Sequence, residues 1–248
     1  RQERILALDN GSIGYAVYIN EEVYLETLYF GGHLSDYTDF DCVRRADEFD
    51  TPRYCADEGK EAGYPDGFKL DAAPLDVSPH GLADKRGAPI VVRGADGSFV
   101  TDLRYRSHRR IAGVPAVEGL PHAHGNCETL DIVLEDRALH VRAHLYLTIF
   151  PDKDVLVKSF CIENAGRKPV QVTRAMSMQL DLPRSDYDLV HFHGRWGKER
   201  DYCCNRVTEG IQEVSSNLGR SSAEANPFVY LKERDATADH GEVIGFNL

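Results

Sequence analysis

The chain has 248 residues, 42 % hydrophobic and 28 % charged, with 40 acidic against 29 basic side chains and a net charge of −11. That is enough apolar material for one large domain or two small ones. The acidity argues against nucleic acid and anionic membrane as partners, because a phosphate surface would be repelled rather than neutralised; neutral small molecules remain.

The chain opens Arg1-Gln2-Glu3-Arg4, with no Met and no apolar leader, so its start reads as trimmed or processed. No apolar run reaches the roughly 18 residues that a membrane-spanning helix needs. Tyr15–Ile19 and Val23–Phe30 are the first strand candidates, rich in aromatic and β-branched residues. Residues 31–89 break the pattern with Gly31-Gly32, then Pro52, Pro65, Pro74, Pro79 and Pro89 among many acids. So long a stretch without periodicity reads either as a solvated excursion or as an arm that reaches something else.

Ile90–Arg93 and Ser98–His108 are the next strand candidates. Leu130, Ile132 and Leu134 then alternate with other residues, as do Leu139, Val141, Ala143, Leu145, Leu147 and Ile149. Period-2 alternation places one face on a core. Glu135-Asp136-Arg137 between the two runs predicts a hairpin turn. Asp154–Glu163 and Val170–Asp181 predict a second hairpin around Asn164-Ala165-Gly166-Arg167-Lys168-Pro169. Leu189–His193, Gly210–Ser216, Phe228–Leu231 and Val243–Leu248 complete the series. Many short strands and no capped 3.6-period segment predict an all-β fold of two packed antiparallel sheets.

Few residues suggest chemistry by type alone. His191 and His193 share a strand face and Cys203-Cys204 follows, but adjacent cysteines chelate poorly and structural zinc wants C-x₂₋₄-C spacing. No metal is expected; a histidine pair lining a polar pocket or bonding to backbone fits better. The glycine pairs are turn glycines, with no phosphate loop and no nucleophile elbow. Cys42, Cys55, Cys127, Cys161, Cys203 and Cys204 contain no C-x-x-C pair and read as reduced, mostly buried thiols of a cytoplasmic protein. Trp196 is the single tryptophan and sits in the polar, Gly-flanked run His193-Gly194-Arg195-Trp196-Gly197-Lys198-Glu199-Arg200. An indole there offers a flat face and an N–H for stacking on a sugar or another ring.

Several segments, in chain order, resemble one family. They include Arg44-Arg45-Ala46-Asp47-Glu48-Phe49-Asp50-Thr51-Pro52-Arg53, Tyr105-Arg106-Ser107-His108, Gly194-Arg195-Trp196-Gly197-Lys198-Glu199-Arg200 and Asn226-Pro227-Phe228. Together they resemble the N-terminal domain of the bacterial α-galactosidases (melibiases) of glycoside hydrolase family 36. Residues 1–248 would then form one β-supersandwich similar to galactose mutarotase, with its last strands cut. A catalytic (β/α)₈ barrel and a C-terminal β domain would be absent from this chain. The resemblance implies an enzyme that hydrolyses terminal α-galactosides of the melibiose and raffinose type with retention, using two barrel carboxylates and no cofactor. It also implies a homotetramer in which this domain lends a neighbour's pocket Asp50 and Trp196 as substrate-binding residues. The segment around Asp50 would be the arm, and the chain alone would be inactive. Asp84-Lys85-Arg86 departs from the family's G-D-[YF]-R-x-P element, and Asp47 stands where the family has Gly. Two other readings stay open: a noncatalytic interaction module that touches no sugar, and a mutarotase-like epimerase built on His191 and His193.

Overall fold

The computed structural model describes residues 4–38, 70–116, 119, 122–220 and 222–248. Among the described residues there are thirteen strands and no helix, and every strand pairing is antiparallel. The chain divides into two compact units, Arg1–Asp181 and Leu182–Leu248.

In the first unit β1 (Ile5–Asp9), β2 (Ile13–Ile19) and β3 (Leu25–Gly32) form a sheet in that order. Asn10 makes the β1–β2 turn, its Oδ1 accepting from the backbone N–H of Ser12 and Ile13 at 2.9 and 2.8 Å. β4 (Ile90–Arg93) pairs with β9 (Gln171–Ala175). A meander follows the order β5 (Arg104–Ala112), β6 (Glu128–Asp136), β7 (Val141–Phe150) and β8 (Lys153–Asn164). The alternation in β7 becomes burial: Val141, Ala143, Leu145, Leu147 and Ile149 all point into the core. There they meet Leu6, Leu8, Tyr15 and Val17 of the first sheet and Ile90 and Val92 of β4. Each large aliphatic side chain so buried stabilises by about 1.5–3 kcal/mol.

In the second unit β10 (Tyr187–Arg195), β11 (Lys198–Arg206), β12 (Ala225–Glu233) and β13 (Val243–Asn247) form a sheet ordered β11-β10-β12-β13. Pro227 lies in β12 at the register break between the His191/Val229 and His193/Ala225 pairs, where the ladder asks no donor of it.

The all-β antiparallel fold is as expected, but several elements differ. β1 and β11 are strands that the alternation did not mark: β1 is a short, continuously apolar run, Ile5–Leu8, ending in Asp9, and β11 is mostly polar. Gly210–Ser216 is not a strand, and Ile211 is 94 % exposed. Val170–Asp181 shortens to Gln171–Ala175, and that strand pairs with β4 rather than folding back on β8. Residues 70–89 are no solvated excursion. Leu70, Ala73 and Leu75 bury with Tyr24 in a second apolar cluster, and Glu26 bridges to Leu75. The four described cysteines are not mostly buried either: Cys127 is, Cys203 is half-buried, and Cys161 and Cys204 are exposed.

Candidate functional site

Asp50 lies outside the described residues, as do Cys42 and Cys55. The chain on either side of residues 39–69 is firmly tied to the first sheet. On the N-terminal side the N–H of His33 donates to the Ser12 carbonyl at 2.8 Å, and its Nδ1 lies 2.8 Å from Asp9 Oδ1. The Tyr37 hydroxyl donates to Asp9 Oδ2. Burial pushes the Asp9 carboxyl up, but donation by Tyr37, the Gly11 N–H and His33 outweighs it and holds the group below the usual range. Burial and the same bond push the Tyr37 hydroxyl up to about 12. Gly14 is required for this approach, since a Cβ there would lie 1.7 Å from the Tyr37 hydroxyl oxygen.

On the C-terminal side Arg86 is a clamp. Its guanidinium donates to the carbonyls of Leu70 and Ala73 at 2.6 Å each, grips Asp84 in a fork at 3.0 Å, and pairs with Asp181. The segment that departs from the family element therefore holds the chain just after residue 69.

Trp196 stands at the tip of the β10–β11 hairpin. Arg195 and Lys198 are cross-strand partners, so Trp196 and Gly197 make the turn, with Gly197 at φ +74°. The ladder slips between His193 and Arg195, where a Cβ on Gly194 would fall 2.1 Å from the Lys198 carbonyl oxygen. The hairpin is braced by the Gly194 and Arg200 N–H groups, which donate to Glu224 and Ala223 at 2.9 and 3.0 Å. Trp196 is 90 % exposed, so its ring fills no core and is free to stack on a planar or apolar partner.

The histidine pair lies on the same strand with ring centroids 6.3 Å apart. His191 Nε2 is 3.2 Å from the Asn205 side-chain nitrogen rather than on backbone, and its buried Nδ1 has no partner. His193 faces Asp201 across the ladder, and Lys198 Nζ pairs with that carboxylate at 2.7 Å. Among the described residues no group of three or more His, Cys, Asp or Glu is placed to hold a metal ion.

One cluster escaped the sequence reading. Asp76, with its side chain wholly buried, receives Lys158 Nζ at 2.5 Å, Thr27 at 3.0 Å and the Tyr15 hydroxyl on a single oxygen. Its signal was present: Leu156, Lys158, Phe160 and Ile162 share one parity of β8, so the lysine occupies a core position.

The described strands are all antiparallel and present a solvent-exposed tryptophan on a braced hairpin, and the comparisons with known proteins give the family. Residues 23–248 match the model of the glycosyl hydrolase family 36 N-terminal domain, and the chain belongs to that family. It is 32 % identical over 250 residues to the α-galactosidase AgaA of Geobacillus stearothermophilus, covering 99 % of this chain and 33 % of that protein. The crystal structure of the α-galactosidase AgaB of the same organism superposes with a TM-score of 0.85 at 31 % identity, over 98 % of this chain and 33 % of that one. An AgaA variant solved in complex with raffinose gives 0.84 at 32 % identity, over 97 % and 33 %. The chain thus spans about a third of the length of the relatives it matches.

Proposed function

We propose that this chain is the N-terminal domain of a retaining α-galactosidase that removes terminal α-galactosyl groups from sugars of the melibiose and raffinose type. It supports assembly of a cytoplasmic homotetramer and lends Asp50 and Trp196 to the sugar pocket, while both catalytic carboxylates belong to the rest of the enzyme. The observation that carries the reading is the exposure of Trp196 at the tip of a braced hairpin, in a chain whose relatives are α-galactosidases. The indole covers the apolar face of a sugar ring and sheds water from it; a carboxylate such as Asp50 accepts charge-assisted hydrogen bonds from two neighbouring hydroxyls. Without the barrel, the chain by itself should not turn over an α-galactoside, because retention requires two carboxyl groups about 5–5.5 Å apart across the scissile bond.

The test is Trp196→Ala in the intact enzyme. Loss of stacking should lower kcat/KM by about ten- to hundredfold, equivalent to roughly 1.5–3 kcal/mol, with Tm unchanged because nothing is left empty. Unaltered kinetics would remove Trp196 as a sugar ligand and favour the interaction-module reading. That second reading has an observation of its own. Phe192, Phe228 and Tyr230 cluster on the second-unit sheet with centroids 5.9–6.4 Å apart, beside Tyr202, which is 57 % exposed.

A further inference from the structure

The first unit contains a cleft of about 1130 Å³, built where the β6–β7 turn, the β8–β9 turn, the β2–β3 loop and the Gly94–Ser98 turn meet. Its charges are unevenly committed. All four acids on its wall are already engaged. Asp136 accepts three backbone N–H groups at 2.8–2.9 Å. Asp102 accepts from the Tyr24 hydroxyl at 2.6 Å and from Arg104 at 2.9 Å. Glu135 is shared by Arg106 and Arg142, and Asp96 accepts from the Ser98 N–H at 2.9 Å. The cations Arg137 and Arg167 on the same wall make no side-chain hydrogen bond or ion pair among the described residues, and Lys168 interacts with Asp96 only at longer range. In a chain of net charge −11, this concentrates unspent positive charge in one concavity.

The backbone of the cleft is strained as well. Val23 and His140, at φ 58° and 53°, both line it, and they are two of the three non-glycine residues with positive φ among the described residues. A β-branched residue in the left-handed region is rare and costly, and strain of this kind gathers at ligand sites. The same cleft is also lined by apolar surface: Val23 and Val100 are 40 % and 44 % exposed, and Leu82, Leu139 and Val170 line it too.

We propose that this cleft binds a phosphomonoester of a small sugar or polyol. The phosphate is held by Arg137, Arg167 and Lys168, and the apolar wall receives the carbon skeleton. Two guanidiniums and an ammonium match a dianion with three acceptor oxygens better than they match a single carboxylate. The cleft size suits a ligand of one or two rings. The site lies within the first unit and takes an anionic ligand, unlike the neutral galactosides of the proposed function.

Calorimetric titration of the intact enzyme with inorganic phosphate, glucose 6-phosphate and glucose tests the proposal. Both phosphates should bind saturably, the sugar phosphate more tightly because of the apolar wall, and glucose should not bind here. Arg137→Gln and Arg167→Gln should each weaken glucose 6-phosphate about tenfold or more, and Lys168→Gln should weaken it too. Hydrolysis of an α-galactoside and Tm should be unchanged, since these side chains are exposed on turns. Arg220→Gln in the second unit is the control. Equal tightness for inorganic phosphate and glucose 6-phosphate would overturn the sugar phosphate in favour of free phosphate. Absence of saturable binding, indifference to all three variants, equal loss in the control, or displacement of the ligand by galactose would overturn the site.

Discussion

Replacing Lys158 by Met should destabilise the first unit far more than an exposed lysine would. Lys158 Nζ has three protons and three acceptors: Asp76 Oδ1 at 2.5 Å, the Tyr15 hydroxyl at 3.0 Å and the Gln179 carbonyl at 2.8 Å. The two side chains are 2 % and 0 % exposed. The remaining oxygen, Asp76 Oδ2, is buried without a hydrogen-bond partner. Methionine keeps the length of the side chain but removes the charge, so the carboxylate stays buried with only Tyr15 and Thr27 as side-chain donors. Leaving one member of a buried pair costs about 3–5 kcal/mol. For a unit of this size that corresponds to a Tm lower by about 6–20 °C. Asp76→Asn with Lys158→Met removes both charges and leaves an acceptor for the two hydroxyls; it should recover more than half of the loss. Scanning calorimetry and urea unfolding of the two single variants and the double variant close the cycle. A Lys158→Met variant within about 2 °C of wild type, or a double variant as unstable as the sum of the singles, would refute the idea that this pair locks residues 70–80 to β2, β3 and β8.

Gly194→Ala should move the Trp196 hairpin, since its Cβ would overlap the Lys198 carbonyl oxygen; the expected result is a loss of about 1–3 kcal/mol in stability together with the kinetic loss of Trp196→Ala. Wild-type values of both would show that the bulge is dispensable. The Tyr187 hydroxyl is pushed up to about 12 by burial and by donating to Glu242 at 2.9 Å. The unfolded chain gives up this proton near pH 10 and the folded chain holds it, so the stability it contributes is fully present below about pH 10 and is lost as pH rises toward 12. Tyr187→Phe should flatten that alkaline fall in unfolding curves, and an unaltered slope would disprove the assignment.

Much of the fold was legible in local pattern because burial imposes a two-residue period on any strand that lies on a core. The run from Val141 to Ile149 became β7 with its apolar parity inward, and the neighbouring run became its hairpin partner β6. Trp196 also read correctly as an exposed loop side chain, since charged and glycine neighbours offer it no core to enter. Partnerships made over long sequence separations were not legible. β9 looks like the return strand of β8, yet it pairs with β4, some 80 residues earlier, because alternation reports which face is buried and not against which strand. Residues 70–89, part of the Pro-rich stretch that read either as a solvated excursion or as an arm, gave no sign of a core; only the tertiary structure supplies Tyr24 to bury Leu70 and Leu75, and Arg86 to satisfy the carbonyls of Leu70 and Ala73. Lys158 sat visibly at a core parity, but a charge at a core position declares only that it needs a partner. That the partner is Asp76, brought by a loop 82 residues away, was decided by the assembled fold, where an ion pair becomes tolerable only once both groups are buried together.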